Sequence, residues 1–420
     1  MDFRFFFGNG SLLFLFSVKE ENQICIISSE NKGLMSGVGP KNMRAKSQKV
    51  ICAMSGGLDS SVAAALLKRA GFDVIGVFMK FWSPPQKNGL IGAPNRCCSP
   101  EAEIRARKVA KILKIPFYVF DFSKEFKKRI VDYFLKEHKK GNTPNPCVVC
   151  NKEIKFGLLL EKALSLGADF VATGHYARKV QGSKCKMQNN NSKFKIFRLL
   201  RAKDKNKDQS YFLWMLNQEQ LKRILFPIGD YKREEVEKLA RKFKLPVLKA
   251  KKSVEICFIQ TTINDFLKEY LKEKPGLIVE KISVNRDKKH SNFKILGKHR
   301  GLWFYTIGQR KGIGLAGGPY WVLDKDVKNN LLIVTKNEKD LLKKELICKN
   351  VNWISGKEPA LPLKVKAKIR YRVQLAPATI YKLKPKTYKL IFNLPQRAIT
   401  PGQSVVFYKG QEVLGGGIIC

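Results

Sequence analysis

Three constellations in this chain of 420 residues bring together residue types that can do chemistry. The first is Ser55-Gly56-Gly57-Leu58-Asp59-Ser60-Ser61, directly after the apolar run Val50-Ile51-Cys52-Ala53-Met54. Paired glycines let the backbone close on an oxyanion, hydroxyls donate to it, and a following helix adds free N–H groups and the positive end of its dipole. This is a phosphate cradle. It lacks the Gly-Lys-Ser/Thr ending that sets a lysine on a γ-phosphate, so it is not a Walker A loop. A mere helix cap at Asp59 or Ser60 would account for one residue and leave Ser-Gly-Gly at a strand end unexplained.

The second constellation is sulfur. Cys147 and Cys150 sit in the Pro-rich stretch Gly141-Asn142-Thr143-Pro144-Asn145-Pro146-Cys147-Val148-Val149-Cys150-Asn151, which opens onto a helix, and Cys257 lies far away in Ile256-Cys257-Phe258. A cysteine near a helix N-terminus or among Lys and Arg has its thiolate stabilised and is nucleophilic at neutral pH, which suits Cys150. One Cys-x-x-Cys has several readings: half a zinc site, a redox pair, part of an iron–sulfur site or coincidence. Zinc is least favoured, because no second pair completes four ligands. Cys97-Cys98 is adjacent and cannot chelate in the usual geometry.

The third comprises polar loops at strand ends. Ala172-Thr173-Gly174-His175-Tyr176 follows an apolar strand, where ligands bind in doubly wound sheets. A lone histidine is more often structural, yet this position favours a site. Lys207-Asp208-Gln209-Ser210-Tyr211 and Gly308-Gln309-Arg310-Lys311-Gly312 are compact clusters of the kind that grip phosphates and stack bases.

The elements that would hold these loops alternate. From Lys49, strands at about 50–54, 73–80, 116–121 and 170–172 are separated by helical patterns at about 59–70, 101–113, 124–139 and 154–166. Strands and helices in this rhythm imply an α/β fold with a doubly wound parallel sheet. A strongly basic helical stretch at 219–244 follows, then Gly-rich turns between short β-like runs from 275 to 334. Alternating runs near 364–372, 379–383, 388–392 and 404–408 suggest a small β-barrel, and 181–193 reads as a solvated hairpin loop. The expected division is an N-terminal extension (1–48), a nucleotide-binding catalytic domain (49–260), a small central domain (261–340) and a C-terminal β-barrel (341–420).

Composition bounds the partners. A hydrophobic content of 44% excludes a disordered chain, and Lys+Arg 80 against Asp+Glu 35 gives a net charge of +45. Such a charge favours a polyanion, whose counterions are released on binding. Ten cysteines are too dilute for a secreted disulfide scaffold, so a reducing, cytoplasmic setting is expected. Ser11 to Val18 is apolar but far short of the ~20 residues that span a bilayer, so no membrane partner is expected.

Together the stretches MSGGLDSSV, GNTPNPCVVCNKEIKFG, ATGHYAR, KDQSYFLW, ICFI, YTIGQRKGIG and TPGQSVVFY resemble the tRNA-specific 2-thiouridylases, members of the PP-loop ATP pyrophosphatases. The resemblance runs from about Lys49 to the C-terminus and implies ATP-dependent 2-thiolation of the wobble uridine of tRNA. It implies a PP-loop, adenine-nucleotide-hydrolase-like fold in which Ala53, Met54, Ser55, Gly56, Gly57, Leu58, Asp59, Ser60, Met79 and Gly174 hold ATP, with Mg2+. Cys257 would carry a persulfide from a donor or relay protein, and Cys150 would be the partner thiol, the two closing as a disulfide. Asn145, Pro146 and Cys147 would face the base. His175, Lys207, Asp208, Gln209, Arg370, Tyr371 and Gln403 match positions that contact tRNA, of the Lys, Glu and Gln types. Where the best-known pattern has Asn-Pro-Asp, this chain has Asn145-Pro146-Cys147, so a carboxylate base is missing there. Cys147, Cys150 and Cys257 could instead ligate an iron–sulfur cluster with one open iron. The rivals are a basic RNA-binding protein with a degenerate loop, against which intact Ser55, Asp59, Cys150 and Cys257 argue, and a small-molecule ATP pyrophosphatase, against which the β module and the charge argue.

Overall fold

A computed structural model describes residues 47–84, 95, 98–182, 185–187, 190–194, 196–248, 256–281 and 293–420. Residues 1–46 of the expected N-terminal extension lie outside these residues. Four strands, β1 (Lys49–Ala53), β2 (Asp73–Lys80), β3 (Phe117–Asp121) and β4 (Phe170–Ala172), pair in parallel. Further along the chain come β5 (Ala177–Gln181), β6 (Cys185–Met187), β7 (Asn190–Phe194), β8 (Phe197–Arg201) and β9 (Ile224–Leu225). The first sheet runs β3-β2-β1-β4-β9. Chain order therefore reverses between β1 and β4, and crevices at such switch points receive ligands.

Burial on both faces explains why β1 reads as an unbroken apolar run. On one face it packs with α1 (Leu58–Arg69), α2 (Pro100–Leu113) and Val236 and Ala240 of the helix Arg233–Lys242. Leu159, Leu160 and Ala163 cover the other face. Helix α2 starts where its sequence says it should: Ser99 Oγ accepts the Ala102 N–H, Pro100 fills the first position, and Glu101 and Glu103 sit in the first turn.

Two helical expectations need correction. The stretch expected as one helix over 219–244 is divided into Gln218–Arg223, β9 and Arg233–Lys242. Ile224 and Leu225 complete the sheet edge beside Val171 and Ala172, and Pro227 has no N–H with which to continue a helix. The helix expected from 154 begins instead at Pro146 and runs to Ser165 through a π-helical stretch, Asn151–Leu158. Pro146 at its first position is well placed there, so Cys147 and Cys150 lie in the first turn rather than in a preceding loop.

A second sheet, β11-β10-β13-β12, is built from β10 (Gly276–Lys281), β11 (Phe293–His299), β12 (Trp321–Asp326) and β13 (Leu331–Thr335). Six more strands follow: β14 (Leu342–Trp353), β15 (Leu363–Lys368), β16 (Ala376–Lys384), β17 (Thr387–Arg397), β18 (Ser404–Lys409) and β19 (Glu412–Ile419). They run β14-β17-β16-β15-β18-β19 and close through a β14–β19 pairing into a barrel. Strand β19 escapes a period-two reading because it carries Gly415-Gly416-Gly417. A Cβ at Gly416 would lie 2.8 Å from the buried Trp214 ring, so the wall closes only over glycine. β8 pairs with β19 and β5 with β8, so a hairpin of the first domain extends the barrel sheet. No helix among the described residues is long and apolar enough to cross a membrane.

Candidate active site

The phosphate loop leaves β1 at the switch point. Gly56 takes φ +69°, and a Cβ there would lie 2.0 Å from the Ala102 carbonyl oxygen, so the loop can close against α2 only as glycine. Ser60 Oγ accepts the Ser55 N–H at 3.1 Å and lies 3.3 Å from Ser55 Oγ, while Ser61 Oγ donates to the Gly57 carbonyl at 2.8 Å. Gly174, at the end of β4, presses on the first turn of α1: a Cβ would stand 2.5 Å from the Ser60 nitrogen. Loop, helix start and β4 end thus form one close-packed unit. Its donor set and shape fit a nucleotide's phosphates. Met79 is half-buried at the carboxyl end of β2 and packs toward both the sheet core and the cluster that holds the thiols.

Asp59 is anchored at this loop. Its Oδ1 accepts from Tyr176 Oη and Arg233 Nη1, both at 2.9 Å. Burial raises the pKa of this carboxyl, against the lowering pull of Arg233, Tyr176 and Lys207. Lys207, expected at the RNA, is therefore also an electrostatic neighbour of the phosphate loop.

The thiols share one apolar cluster. Cys150 is buried and Cys257 half-buried among Phe81, Phe126, Phe258 and Val149, and this cluster reaches Met79 at the carboxyl end of β2. Cys147 is half-buried one helical turn from Cys150. Among the described residues no group of three or more His, Cys, Asp or Glu side chains could hold a metal ion. Cys147 and Cys150 share one helical turn and Cys257 comes from a distant segment.

The loop before Cys147 is clasped from two sides. Thr143 donates its N–H to Pro401 O at 2.9 Å, and Gln403 Nε2 donates to Thr143 O at 2.7 Å. Thr306 Oγ1 of the central domain lies 3.4 Å from Thr143 Oγ1. Arg370 completes the junction by donating to Ile307 O at 3.1 Å, Ala398 O at 3.2 Å and Thr400 Oγ1. Asn145 bonds the buried Tyr211, whose hydroxyl donates to Ser404 O at 2.9 Å. Tyr371 lies on Phe212 with ring centroids 4.5 Å apart. Asn145, Pro146 and Cys147 thus stand beside a loop that contacts both the segment after β11 and the barrel.

Several residues expected at the RNA surface are turned inward. His175 is buried against Phe156 and Phe226, with Nδ1 2.7 Å from Thr173 Oγ1. Burial, and then Lys155, hold its pKa well below the usual imidazole value, so the ring is neutral. Asp208 is 3% exposed. Its carboxylate takes Arg201 Nε at 2.8 Å and the N–H groups of Ala202 and Ser210. Gln209 Oε1 accepts the Tyr176 N–H at 2.9 Å. These side chains brace the walls of the site. The reading from sequence missed Arg105 and Arg233 and gave no role to Tyr176 and Thr143, although both stand in stretches that it singled out. Arg105 Nε donates to Gly56 O at 3.2 Å, a contact that no local pattern announces.

Comparison with known proteins gives one answer over nearly the whole described chain. A family model described as a tRNA methyl transferase HUP domain matches residues 48–261. A tRNA methyl transferase PRC-barrel domain model matches 264–336, and an aminomethyltransferase beta-barrel domain model matches 343–419. The chain is 46% identical over 373 residues to the tRNA-specific 2-thiouridylase MnmA of Clostridioides difficile (strain 630), covering 89% of this chain and 98% of that one. It is 48% identical over 377 residues to the tRNA-specific 2-thiouridylase MnmA 2 of Thermoanaerobacter sp. (strain X514), covering 88% and 97%. Against the corresponding Carboxydothermus hydrogenoformans protein the identity is 44% over 377 residues, covering 89% and 97%. With its glycine-rich loop at a parallel-sheet switch point and its closed barrel, the chain belongs to the tRNA-specific 2-thiouridylase family.

Proposed function

We propose that this protein replaces the C2 oxygen of the wobble uridine of tRNA with sulfur, using ATP to activate that oxygen. The observation that carries this reading is the shared apolar cluster of Cys150 and Cys257, which reaches Met79 at the carboxyl end of the strand beside the phosphate loop. A pyrophosphate-releasing loop alone would serve many reactions; two thiols in a cluster that reaches the carboxyl end of β2 suit sulfur transfer.

The chemistry follows from need. Uridine's C2 oxygen is a poor leaving group, so it first bonds to the α-phosphorus of ATP and pyrophosphate departs. Ala53 to Ser60, Met79 and Gly174 receive the nucleotide, and Asn145, Pro146 and Cys147 face the base. The terminal sulfur of a Cys257 persulfide, loaded by a donor protein, then attacks C2; the C2–O bond breaks and AMP leaves. Cys150 thiolate attacks Cys257 Sγ, which closes the Cys150–Cys257 disulfide and frees 2-thiouridine. An external thiol reduces the pair for the next turnover. The phosphates of the bound ATP would hold Mg2+, which would offset part of their charge. Lys207, Arg370, Tyr371 and Gln403 border the junction that the RNA would enter, while His175, Asp208 and Gln209 position its walls. The substrates are tRNAs that read Lys, Glu and Gln codons.

The test is pyrophosphate release by the intact protein. Release is expected only when ATP and tRNA are both present; equal release without tRNA would overturn the reading in favour of a small-molecule acceptor.

A further inference from the structure

The phosphate loop is a cradle without a cation of its own. Ser55, Gly56, Gly57, Ser60 and Ser61 supply hydroxyls and peptide N–H groups, and the one ionisable side chain in the loop is Asp59. A triphosphate brings several negative charges there, and more charge develops on pyrophosphate as its bond to the α-phosphorus breaks. In a partly desolvated site this calls for a fixed positive group.

The cationic side chains at the loop are not equivalent. Arg233 gives Nη1 to Asp59 at 2.9 Å and Nε to Glu237 at 2.8 Å, so its charge is offset by two carboxylates. Lys207 acts on Asp59 electrostatically, which offsets its charge as well. Arg105 differs. It is half-buried on α2, three residues after Ala102, so the two share the helix face that meets the loop. The Ala102 carbonyl is the atom against which Gly56 closes. Arg105 Nε donates to Gly56 O at 3.2 Å, and among the described residues no carboxylate pairs with it. A guanidinium with Nε fixed on a carbonyl keeps its two Nη groups as a fork, the geometry that matches two phosphate oxygens.

We propose that Arg105 is the phosphate-binding cation of the loop, holding the β- and γ-phosphates of ATP and the departing pyrophosphate. This rests on the reading of the loop as the ATP site. As uridine O2 bonds to the α-phosphorus, the bond from that phosphorus to the bridging oxygen breaks and its electron pair leaves with pyrophosphate. The uridine N3 proton passes to solvent. Arg105 stays protonated throughout and transfers nothing.

The experiment compares wild type, Arg105→Gln and Arg105→Lys as full chains. Calorimetry measures affinity for ATP, inorganic pyrophosphate and AMP, and a thermal scan checks folding. Arg105→Gln should weaken ATP and pyrophosphate tenfold or more, leave AMP within twofold, and slow tRNA-dependent pyrophosphate release; Arg105→Lys should recover part of the affinity. Unchanged ATP and pyrophosphate binding would overturn the assignment. Equal losses for all three ligands, AMP included, would overturn it too, because they would mark a distorted loop. If wild type binds ATP but releases no pyrophosphate with tRNA, the proposed function fails, while the binding comparison still judges Arg105.

Discussion

The phosphate loop and the thiol cluster are built in opposite ways. The loop is contiguous: Ala53 to Ser61 supply nearly all of it, and its shape follows from Gly56 at φ +69° against α2. The thiol cluster draws on the helix start at Cys147–Cys150 and the distant Cys257, and the loop before that helix is held at Thr143 by Thr306 and by the barrel turn Pro401–Gln403. A local site stands or falls on its own backbone. An assembled one depends on braces far from the chemistry, so damage to it should propagate from residues that never meet substrate.

Substitutions should separate the two regions. The largest effect belongs to the loop: Gly56→Ala places a Cβ 2.0 Å from a backbone oxygen at a left-handed φ, and ATP affinity measured by calorimetry should fall by more than about a hundredfold. Persistence of near-normal affinity would show that the loop is not held as described. Next comes a brace. Asp208→Asn removes the buried partner of Arg201, which should lower stability by about 3–5 kcal/mol in urea unfolding and should slow thiolation without altering ATP affinity. A loss of ATP affinity as large as the loss of thiolation would erase the distinction between the regions.

A pH effect of intermediate size arises where the first domain meets the central one. His138 is buried with Nδ1 3.3 Å from Trp303 O, and burial, with Lys325 next, depresses its pKa to about 4, opposed by the Trp303 carbonyl and Glu137. The unfolded chain, titrating near 6.5, binds the proton more readily than the folded one. Stability is therefore full above pH 6.5 and is lost as pH falls toward 4, by about 2 kcal/mol at pH 5. Urea midpoints at pH 7 and pH 5 should differ less in His138→Gln than in wild type; equal pH dependence would remove His138 as the cause. The smallest expected change is at the clasp: Gln403→Ala loses one hydrogen bond to Thr143, about 1 kcal/mol, and should lower the tRNA-dependent rate severalfold.

The same contrast explains what could be read in advance. Strand β2 and the loop after β1 are legible because their signals are local: an apolar run, two glycines, a helix start. The barrel was legible only in part, since β19 carries Gly415-Gly416-Gly417 for the sake of Trp214, which lies some two hundred residues earlier in the chain. The split of 219–244 followed from the sheet needing an edge strand at Ile224–Leu225, a tertiary demand that overrides helical patterning. Motif spelling pointed to Asp208 and His175 but did not display that both side chains are buried. Arg105 carried no signal at all, because its partner Gly56 is defined only once α2 has packed against the loop.

Sulfur transfer through Cys257 is the central claim. The most direct measurement is mass spectrometry of tRNA nucleosides after incubation with ATP, a persulfide donor and either wild type or Cys257→Ser. Wild type should yield 2-thiouridine, and Cys257→Ser should yield none while still releasing pyrophosphate in the presence of tRNA. Formation of 2-thiouridine by Cys257→Ser at the wild-type level would contradict the account.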